Sequence, residues 1–174
     1  MGRSIKNLIF DMDGVIADTT PCHARAYEDL WNHLNIEGPP YEQIAGRSTR
    51  DVVLELTADL KPSEQDIRHW VDRKQTQARE YLNVEPIAYA DSESVISKLS
   101  QHYPMAVATS ASRPSTDLIL KRCNVDRYFN VVITAEDAVL CKPNPELYLI
   151  AMERCNFVPE ETLIIEDSEH GIDA

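Results

Sequence analysis

Two aspartates close a short apolar run near the start of the chain. Asp11 and Asp13 come directly after the apolar residues 8–10, and Gly14 follows them. Side chains two residues apart in an extended chain point to the same side, and glycine permits the sharp turn that comes next. Two carboxylates about 4 Å apart repel by about 1 kcal/mol in water and about 4 kcal/mol at an effective dielectric near 20. The pair therefore needs a counter-ion.

Further polar groups follow three other apolar runs of strand length, at 105–108, 131–134 and 162–165. In chain order these groups are Thr109 and Ser110, then Lys142 after a loop, then Glu166 and Asp167. Ligands of parallel sheets bind beyond the carboxyl ends of the strands, so all these groups should meet at one edge. Four acidic groups there form an oxygen-rich site that suits a hard divalent cation such as Mg²⁺.

This set of groups is suited to phosphoryl transfer. One aspartate can act as nucleophile and form an aspartyl-phosphate. The other can act as general acid and base for the leaving and attacking oxygens, a role worth roughly 10²–10⁴ in rate. Lys142 and Thr109 suit the stabilisation of charge on the phosphoryl oxygens. The local cation would also let an acidic protein accept a phosphorylated ligand.

Each group also has a simpler explanation when it is taken alone. The D-x-D-G segment can be a turn, Lys142 can be a solvated loop lysine, and the Glu166-Asp167 pair can cap the following helix. Their joint placement after successive strands favours the catalytic interpretation.

The pattern of the whole chain predicts the elements that would position these groups. Short apolar runs alternate with helical spacing after residue 86, which is typical of parallel βαβ units. Between residues 21 and 82 the spacing is helical only, with breaks at 38–40 and 61–63. We therefore predict a doubly wound α/β core, residues 1–19 and 84–174, with an all-helical cap inserted at residues 20–83.

Composition excludes several classes of protein. The chain has 174 residues with 17 Lys+Arg and 29 Asp+Glu, a net charge of −12, which disfavours nucleic acid as a partner. No apolar run approaches the roughly 20 residues of a membrane-spanning helix, and residues 1–10 lack the pattern of a secretory signal. A cytoplasmic location is the default expectation. Four scattered cysteines without a C-x-x-C pair predict free thiols and no zinc site.

Four segments together resemble the motifs of the haloacid dehalogenase superfamily of phosphatases and phosphomutases. They are FDMDGVIADT, AVATSAS, CKPNPELY and IIEDSEHGI, in the order that the superfamily has them. The resemblance implies Asp11 as nucleophile, Asp13 as acid and base, and Lys142 as charge stabiliser. It further implies Thr109 and Ser110 on the phosphoryl group, and a Mg²⁺ site of Asp11, Asp13, Glu166 and Asp167, with the backbone carbonyl of Asp13 facing the metal.

Within the superfamily the sequence is most similar to the beta-phosphoglucomutase-like branch. His23 and Arg25 in PCHARAY match a His and an Arg on the first cap helix of that branch. The loop at 46–51, which includes Arg50, is similar to the substrate loop of the cap, and Lys74 falls where the branch has a cap lysine. His23 could equally be a surface or packing histidine, and Arg47, Arg50 and Lys74 could be helix-face charges.

The resemblance leaves two enzymatic activities open. An acid at position 13 is absent from the true dehalogenases and from the phosphonate-cleaving branch, so Asp13 favours phosphate esters. By the mutase pattern, Ser112 and Arg113 would contact a second phosphate that is not transferred. A phosphatase of a small phosphorylated metabolite, such as a sugar phosphate, is the first hypothesis, and a phosphomutase is the alternative.

The resemblance also implies more chain than the sequence contains. Members of the superfamily continue beyond the fourth motif with a helix and a further strand, whereas this sequence ends at Ala174. We therefore expect an incomplete core with an exposed sheet edge near residues 164–165, which could self-associate. A catalytically weak binding module is a third hypothesis for the same reason.

Overall fold

The structure is a computed structural model that describes residues 4–174, so residues 1–3 of the predicted first segment lie outside it. Four strands form its centre: β1 (Asn7–Phe10), β2 (Met105–Ala108), β3 (Val131–Ile133) and β4 (Thr162–Ile165). They pair in parallel in the order β3-β2-β1-β4. The predicted parallel α/β sheet is confirmed.

In residues 4–174, seven α-helices connect or follow the strands. They are α1 (Thr20–Leu34), α2 (Thr49–Leu56), α3 (Glu64–Val84), α4 (Ser92–Ser100), α5 (Arg113–Arg122), α6 (Glu146–Cys155) and α7 (Glu169–Asp173).

The alternation of side chains along β1 places helices on both faces of the sheet. Phe10 points to one face and packs in a cluster with Ile96 of α4 and Ile119 of α5. Ile9 points to the opposite face and packs with Leu147 of α6. The chain goes from β1 to β2 and β3 on one side, then crosses to β4 on the other side of β1. Ligands of doubly wound sheets bind at this change of direction.

Helices α1, α2 and α3 form a helical insert with an apolar cluster of its own. Leu30 and Trp31 of α1 pack there with Val52 of α2 and Ile67 of α3. A capping box of Ser63 with residue 66 starts α3, an arrangement worth about 1 kcal/mol. The structure thus has the helical unit that the sequence predicts, while its role as a cap and the boundaries 1–19, 20–83 and 84–174 stay predictions.

Strand β4 forms one edge of the sheet. Within residues 4–174 it pairs with β1 alone. Leu163 on this strand is 47% exposed, and Ile172 of α7 is 69% exposed, whereas Ile164 and Ile165 are half-buried. An edge of this kind can pair with another strand, but the expected self-association stays a prediction.

Two expectations from composition concern the whole described chain. In residues 4–174 no helix combines the length and the apolar character that a membrane span requires. All four cysteines are free thiols, as the spacing predicts. The cytoplasmic location stays a prediction.

Candidate active site

The carboxyl edge of the sheet gathers three charged side chains from distant parts of the chain. Asp11 follows β1, Glu166 follows β4, and Lys142 lies in the loop between β3 and α6. The ammonium nitrogen of Lys142 lies 2.5 Å from Asp11 Oδ1 and 2.6 Å from Glu166 Oε1. The side chains of Lys142, Asp11 and Glu166 are 0%, 8% and 5% exposed. Because all three are buried, each charge depends on the others for its stabilisation.

Burial and pairing act in opposite directions on these groups. Burial raises the pKa of Asp11 to about 7, although the Lys142 ammonium opposes this rise. Burial by itself lowers the pKa of Lys142, but the carboxylates of Asp11 and Glu166 outweigh it and hold that pKa above its usual range. Lys142 is therefore charged at neutral pH, and any further cation beside Asp11 would favour the carboxylate form.

Asp167 completes a cluster of oxygen ligands with Asp11 and Glu166. One carboxylate oxygen of each lies within 4.8 Å of the others. Gly14 permits this arrangement, because its φ is +82° and a Cβ at this position would overlap the carboxylate of Asp167. Carboxylate oxygens are the ligands that Mg²⁺ prefers. The donor set therefore fits the predicted metal.

The carboxylate of Asp13 is held at the start of the helical insert instead of in this cluster. Thr19 Oγ1 donates a hydrogen bond to Asp13 Oδ1 at 2.5 Å. His23 Nε2 lies 3.3 Å from the same oxygen. The predicted role of the Asp13 carboxylate as acid and base is compatible with this position. The predicted contact of the Asp13 backbone carbonyl with the metal stays a prediction.

Lys74 of α3 extends the contacts of Asp13 into the helical insert. Its ammonium nitrogen lies 3.0 Å from His23 Nδ1 and 4.1 Å from the centroid of the Tyr27 ring. Burial lowers the pKa of Lys74 to about 7, with Asp13 opposing, and burial together with Lys74 lowers the pKa of His23. Burial acts to raise the pKa of Asp13, but the contacts with His23 and Thr19 bring it below its usual value. Three titratable groups thus form one chain from the core into the insert.

Lys74→Met should remove a component of the pH dependence of stability. The unfolded chain binds a proton at this lysine up to about pH 10.4, whereas the folded chain releases it near pH 7. The unfolded state therefore binds more protons between pH 7 and 10, so this lysine makes stability rise with pH by at most about 1.4 kcal/mol per pH unit. We expect urea unfolding to show that rise in the unsubstituted protein and not in Lys74→Met.

The exposed Lys98 provides the control for this measurement. Lys98→Met should leave the pH dependence unchanged. A Lys74→Met curve parallel to that of the unsubstituted protein between pH 7 and 10 would contradict the lowered pKa.

Thr109 and Ser110 bring hydroxyl groups to the cavity beside Asp11. Thr109 Oγ1 accepts a hydrogen bond from the backbone N–H of Ala111 at 3.1 Å. Ser110 Oγ is buried and has no hydrogen-bond partner within the described part of the chain. A buried hydroxyl without a hydrogen-bond partner costs free energy. A ligand in the cavity that accepts a hydrogen bond from Ser110 would remove this cost.

The cavity lies between the carboxyl edge of the sheet and the helical insert and has a volume of about 50 Å³. The core lines it with Asp11, Asp13, Thr109, Ser110, Ala111, Asp167 and Ser168. The insert lines it with Thr20, His23, Tyr27, Tyr41, Ile44, Ala45, Gly46, Arg47, Thr49 and Lys74. The structure therefore brings together most of the predicted core residues and two of the predicted residues of the insert.

Two arginines of the insert that the resemblance placed at the substrate lie outside the cavity. The guanidinium of Arg25 lies 4.1 Å from the centroid of the Tyr81 ring. Arg50 forms two hydrogen bonds with Glu64, at 2.9 and 3.0 Å. Residues two apart on a helix point in nearly opposite directions, so Arg25 cannot share the orientation of His23.

Two predicted residues of the core also have partners elsewhere. Ser112 Oγ donates to Ser115 Oγ at 3.1 Å. One guanidinium nitrogen of Arg113 donates to Asp137 Oδ2 at 2.6 Å and to the carbonyl of Val132 at 2.9 Å. Neither side chain lines the cavity, and the predicted contact with a second phosphate stays a prediction.

Arg47, in the same loop at 46–51, lines the cavity, whereas Arg50, the arginine predicted to contact substrate, does not. Arg47 follows the turn at Gly46 and pairs with Glu55 at 2.5 Å. Helix α2 begins only at Thr49, so Arg47 lies in the loop and Arg50 in the first helical turn. The boundary between loop and helix was the signal that could have distinguished the two arginines.

Tyr148 is a residue that the sequence reasoning missed, although it lies in the motif CKPNPELY. Its hydroxyl donates to Glu166 Oε1 at 3.0 Å, and its ring centroid is 4.9 Å from Lys142 Nζ. Partners of metal ligands typically change metal affinity by about 10- to 100-fold when they are removed. If Glu166 holds the predicted Mg²⁺, Tyr148→Phe should weaken Mg²⁺ binding by about 10-fold, measured by the Mg²⁺ dependence of thermal unfolding.

The chain is similar to known proteins in both sequence and fold. Residues 8–174 match the family described as haloacid dehalogenase-like hydrolase. A phosphorylated carbohydrates phosphatase of Thermotoga maritima is 31% identical over 96% of this chain and 78% of its own length. A fructose-1-phosphate phosphatase of Escherichia coli is 32% identical over 96% of this chain and 89% of its own length. The crystal structure of a beta-phosphoglucomutase from Clostridium difficile has the same fold, with a TM-score of 0.87 at 22% identity over 97% of this chain and 79% of that one.

Proposed function

The chain belongs to the haloacid dehalogenase-like hydrolase family, and on that premise we propose that it is a Mg²⁺-dependent phosphatase of a small phosphorylated carbohydrate. The observation that carries the proposal is the meeting of Asp11, Glu166 and Asp167 with the ammonium group of Lys142 at the carboxyl edge of the sheet. Three carboxylates suit Mg²⁺, and a buried ammonium group beside them suits the stabilisation of charge on a phosphoryl group. The names of the two phosphatase relatives support the substrate class.

Asp11 is the proposed nucleophile. One of its carboxylate oxygens attacks the phosphorus, and the bond from phosphorus to the sugar oxygen breaks, which leaves an aspartyl-phosphate. Thr109 and Ser110 would donate hydrogen bonds to the phosphoryl oxygens, and Lys142 would keep Asp11 ionised. When bound by Asp11, Glu166 and Asp167, Mg²⁺ would supply positive charge to the phosphoryl group.

Asp13 is the proposed acid and base. In its protonated form it gives a proton to the leaving sugar oxygen, and as a carboxylate it then takes a proton from the water that attacks the aspartyl-phosphate. That second step releases phosphate and restores Asp11. The contacts support a supply of protons: Lys74 can protonate His23 at Nδ1 while His23 gives its Nε2 proton to Asp13.

A panel of sugar phosphates tests the proposal. We expect phosphate release from at least one of them with Mg²⁺ and none with a chelator. Release that is equal with and without Mg²⁺ would contradict the metal dependence. Mg²⁺-dependent binding of a fluoride mimic of phosphate, without release from any substrate, would instead identify the chain as a binding module.

A phosphomutase is the second candidate, on the evidence of the small volume of the cavity. A volume of about 50 Å³ has room for only a few water molecules at roughly 10–15 Å³ each. An aspartyl-phosphate in so small a space would meet few water molecules before a sugar hydroxyl accepts the phosphoryl group. Interconversion of hexose 1- and 6-phosphates with a bisphosphate primer would support this candidate, and phosphate release without interconversion would exclude it.

A further inference from the structure

The helical insert touches the core at the segment that carries the acidic residues. His170, in the first turn of α7, places its Nδ1 atom 3.1 Å from the backbone carbonyl oxygen of Ala45. A carbonyl oxygen only accepts hydrogen bonds, so Nδ1 must carry the proton in this contact. His170 belongs to the core and Ala45 to the loop between α1 and α2, so this bond joins the two units directly.

The neighbouring residues show how closely the two surfaces approach. Gly46 has a φ of +79°, and a Cβ at this position would overlap Ser168 Oγ and lie 3.6 Å from the Cβ of His170. The turn at 45–46 therefore lies against the core without space for a side chain. Arg47, which comes next, lines the cavity.

The same core segment holds the metal-binding acids in position. Ser168 Oγ donates to Glu166 Oε2 at 3.1 Å and accepts the N–H of Gly171 at 3.1 Å. The backbone N–H groups of Asp167 and Ser168 donate to that same oxygen of Glu166, at 2.7 and 2.8 Å. Contact between the turn and this segment is thus contact with the wall of the site.

We propose that His170 is a positioning residue that holds the turn at 44–47 against the core and so sets the fraction of molecules in which the cavity is closed with Arg47 on its wall. The bond from Nδ1 to the Ala45 carbonyl joins the two units, so it would be lost if the turn moved away from the core. The consequence for substrate rests on the proposed function, whereas the closure itself does not. Substrate would bind more tightly where the closed arrangement is more populated.

Three variants separate this bond from other roles of the imidazole. His170→Ala removes the donor, and His170→Gln places an amide nitrogen near the position of Nε2. His170→Asn places an amide nitrogen near the position of Nδ1 and should retain the bond. One hydrogen bond of this kind shifts an equilibrium by about 3- to 10-fold. We therefore expect the population of the closed arrangement to fall by that factor in His170→Ala and His170→Gln, and to recover in His170→Asn.

Hydrogen–deuterium exchange of the peptide that covers residues 44–48 is the first measurement, and it needs no substrate. We expect exchange there to be about 3- to 10-fold faster in His170→Ala and His170→Gln than in the unsubstituted protein and His170→Asn. The second measurement is phosphate release from a sugar phosphate identified in the panel, with KM raised by the same factor and kcat changed by less than about 2-fold.

Two results would overturn the proposal. In one, exchange at 44–48 is equal in all four proteins. In the other, exchange rises equally throughout the core in every variant, which would mean that His170 only stabilises the fold. A protein that releases no phosphate from any substrate but shows the expected exchange pattern would contradict the proposed function and leave the role of His170 supported.

Discussion

Asp11→Asn is expected to lower phosphate release from the best sugar phosphate by at least about 10³-fold, because the amide has no nucleophilic carboxylate. The substitution keeps the shape of the side chain, and its amide oxygen can still accept the hydrogen bond from Lys142. The loss should therefore occur in kcat and without loss of the folded state. Phosphate release under saturating substrate, together with thermal unfolding, measures both.

Asp18→Asn is the matched control for this loss. Asp18 is seven positions along the chain, is exposed, and does not line the cavity. The same chemical change there should leave phosphate release within about 2-fold, since surface substitutions away from a site have little effect. Activity of Asp11→Asn within 10-fold of the Asp18→Asn protein would show that the nucleophile lies elsewhere.

The site residues that follow the strands could be predicted because ligands of a parallel sheet bind beyond the carboxyl ends of its strands. Residues that follow parallel strands must meet at one edge, whatever the connections do. The sequence therefore predicted that Asp11, Thr109 and Glu166 lie at the same edge. The strands at 105–108 and 162–165 begin and end where the sequence predicted. The apolar run at 131–134 predicted one strand residue too many, because Thr134 caps the 3₁₀ turn that follows β3.

The sequence predicted that the insert is helical, but it did not show which side chains of these helices face the cavity. Which residues of α1, α2 and α3 face the cavity depends on the rotation of each helix, and that rotation is fixed by packing between the helices. His23 and Lys74 reach the cavity, whereas Arg25 and Arg50 find partners outside it. A charge pattern shows that a helix has polar faces but not which of them meets the core.

Tyr148 and His170 show a different limit of the sequence. Each acts through a single hydrogen bond to a group distant in the chain, at separations of 18 and 125 residues. No periodicity marks such a residue, because only the folded chain brings its partner near. Both lie within segments that the resemblance identified, so the motifs located the regions but not the roles of these side chains.

Lys142→Met is expected to destabilise the protein by about 3–5 kcal/mol in the absence of metal, because it leaves buried carboxylates without their cation. Asp11 and Glu166 are the two groups affected. Phosphate release should also fall by at least about 10²-fold, since Lys142 is the proposed charge stabiliser next to the proposed nucleophile. Urea unfolding and the sugar phosphate assay measure the two effects.

The loss of stability should depend on pH with a definite sign. Burial already raises the pKa of Asp11 to about 7, and removal of the Lys142 ammonium should raise it further. A carboxyl whose pKa is raised on folding binds its proton more strongly in the folded state, so stability falls as pH rises from about 4 to the folded pKa. The deficit of Lys142→Met should therefore be smaller at pH 6 than at pH 8, and Mg²⁺ should reduce it at pH 8 by replacing the lost charge.

Lys6→Met is the control that separates a buried ion pair from an exposed one. Lys6 lies 2.6 Å from Glu161, but its side chain is 61% exposed. Exposed pairs of this kind contribute about 0–1 kcal/mol, so Lys6→Met should unfold within about 1 kcal/mol of the unsubstituted protein at both pH values. If Lys142→Met matched Lys6→Met in stability and in pH dependence, the carboxylates beside Lys142 would have to be neutral or hydrated in the folded protein, and the buried charge cluster could not be what prepares Asp11 for attack.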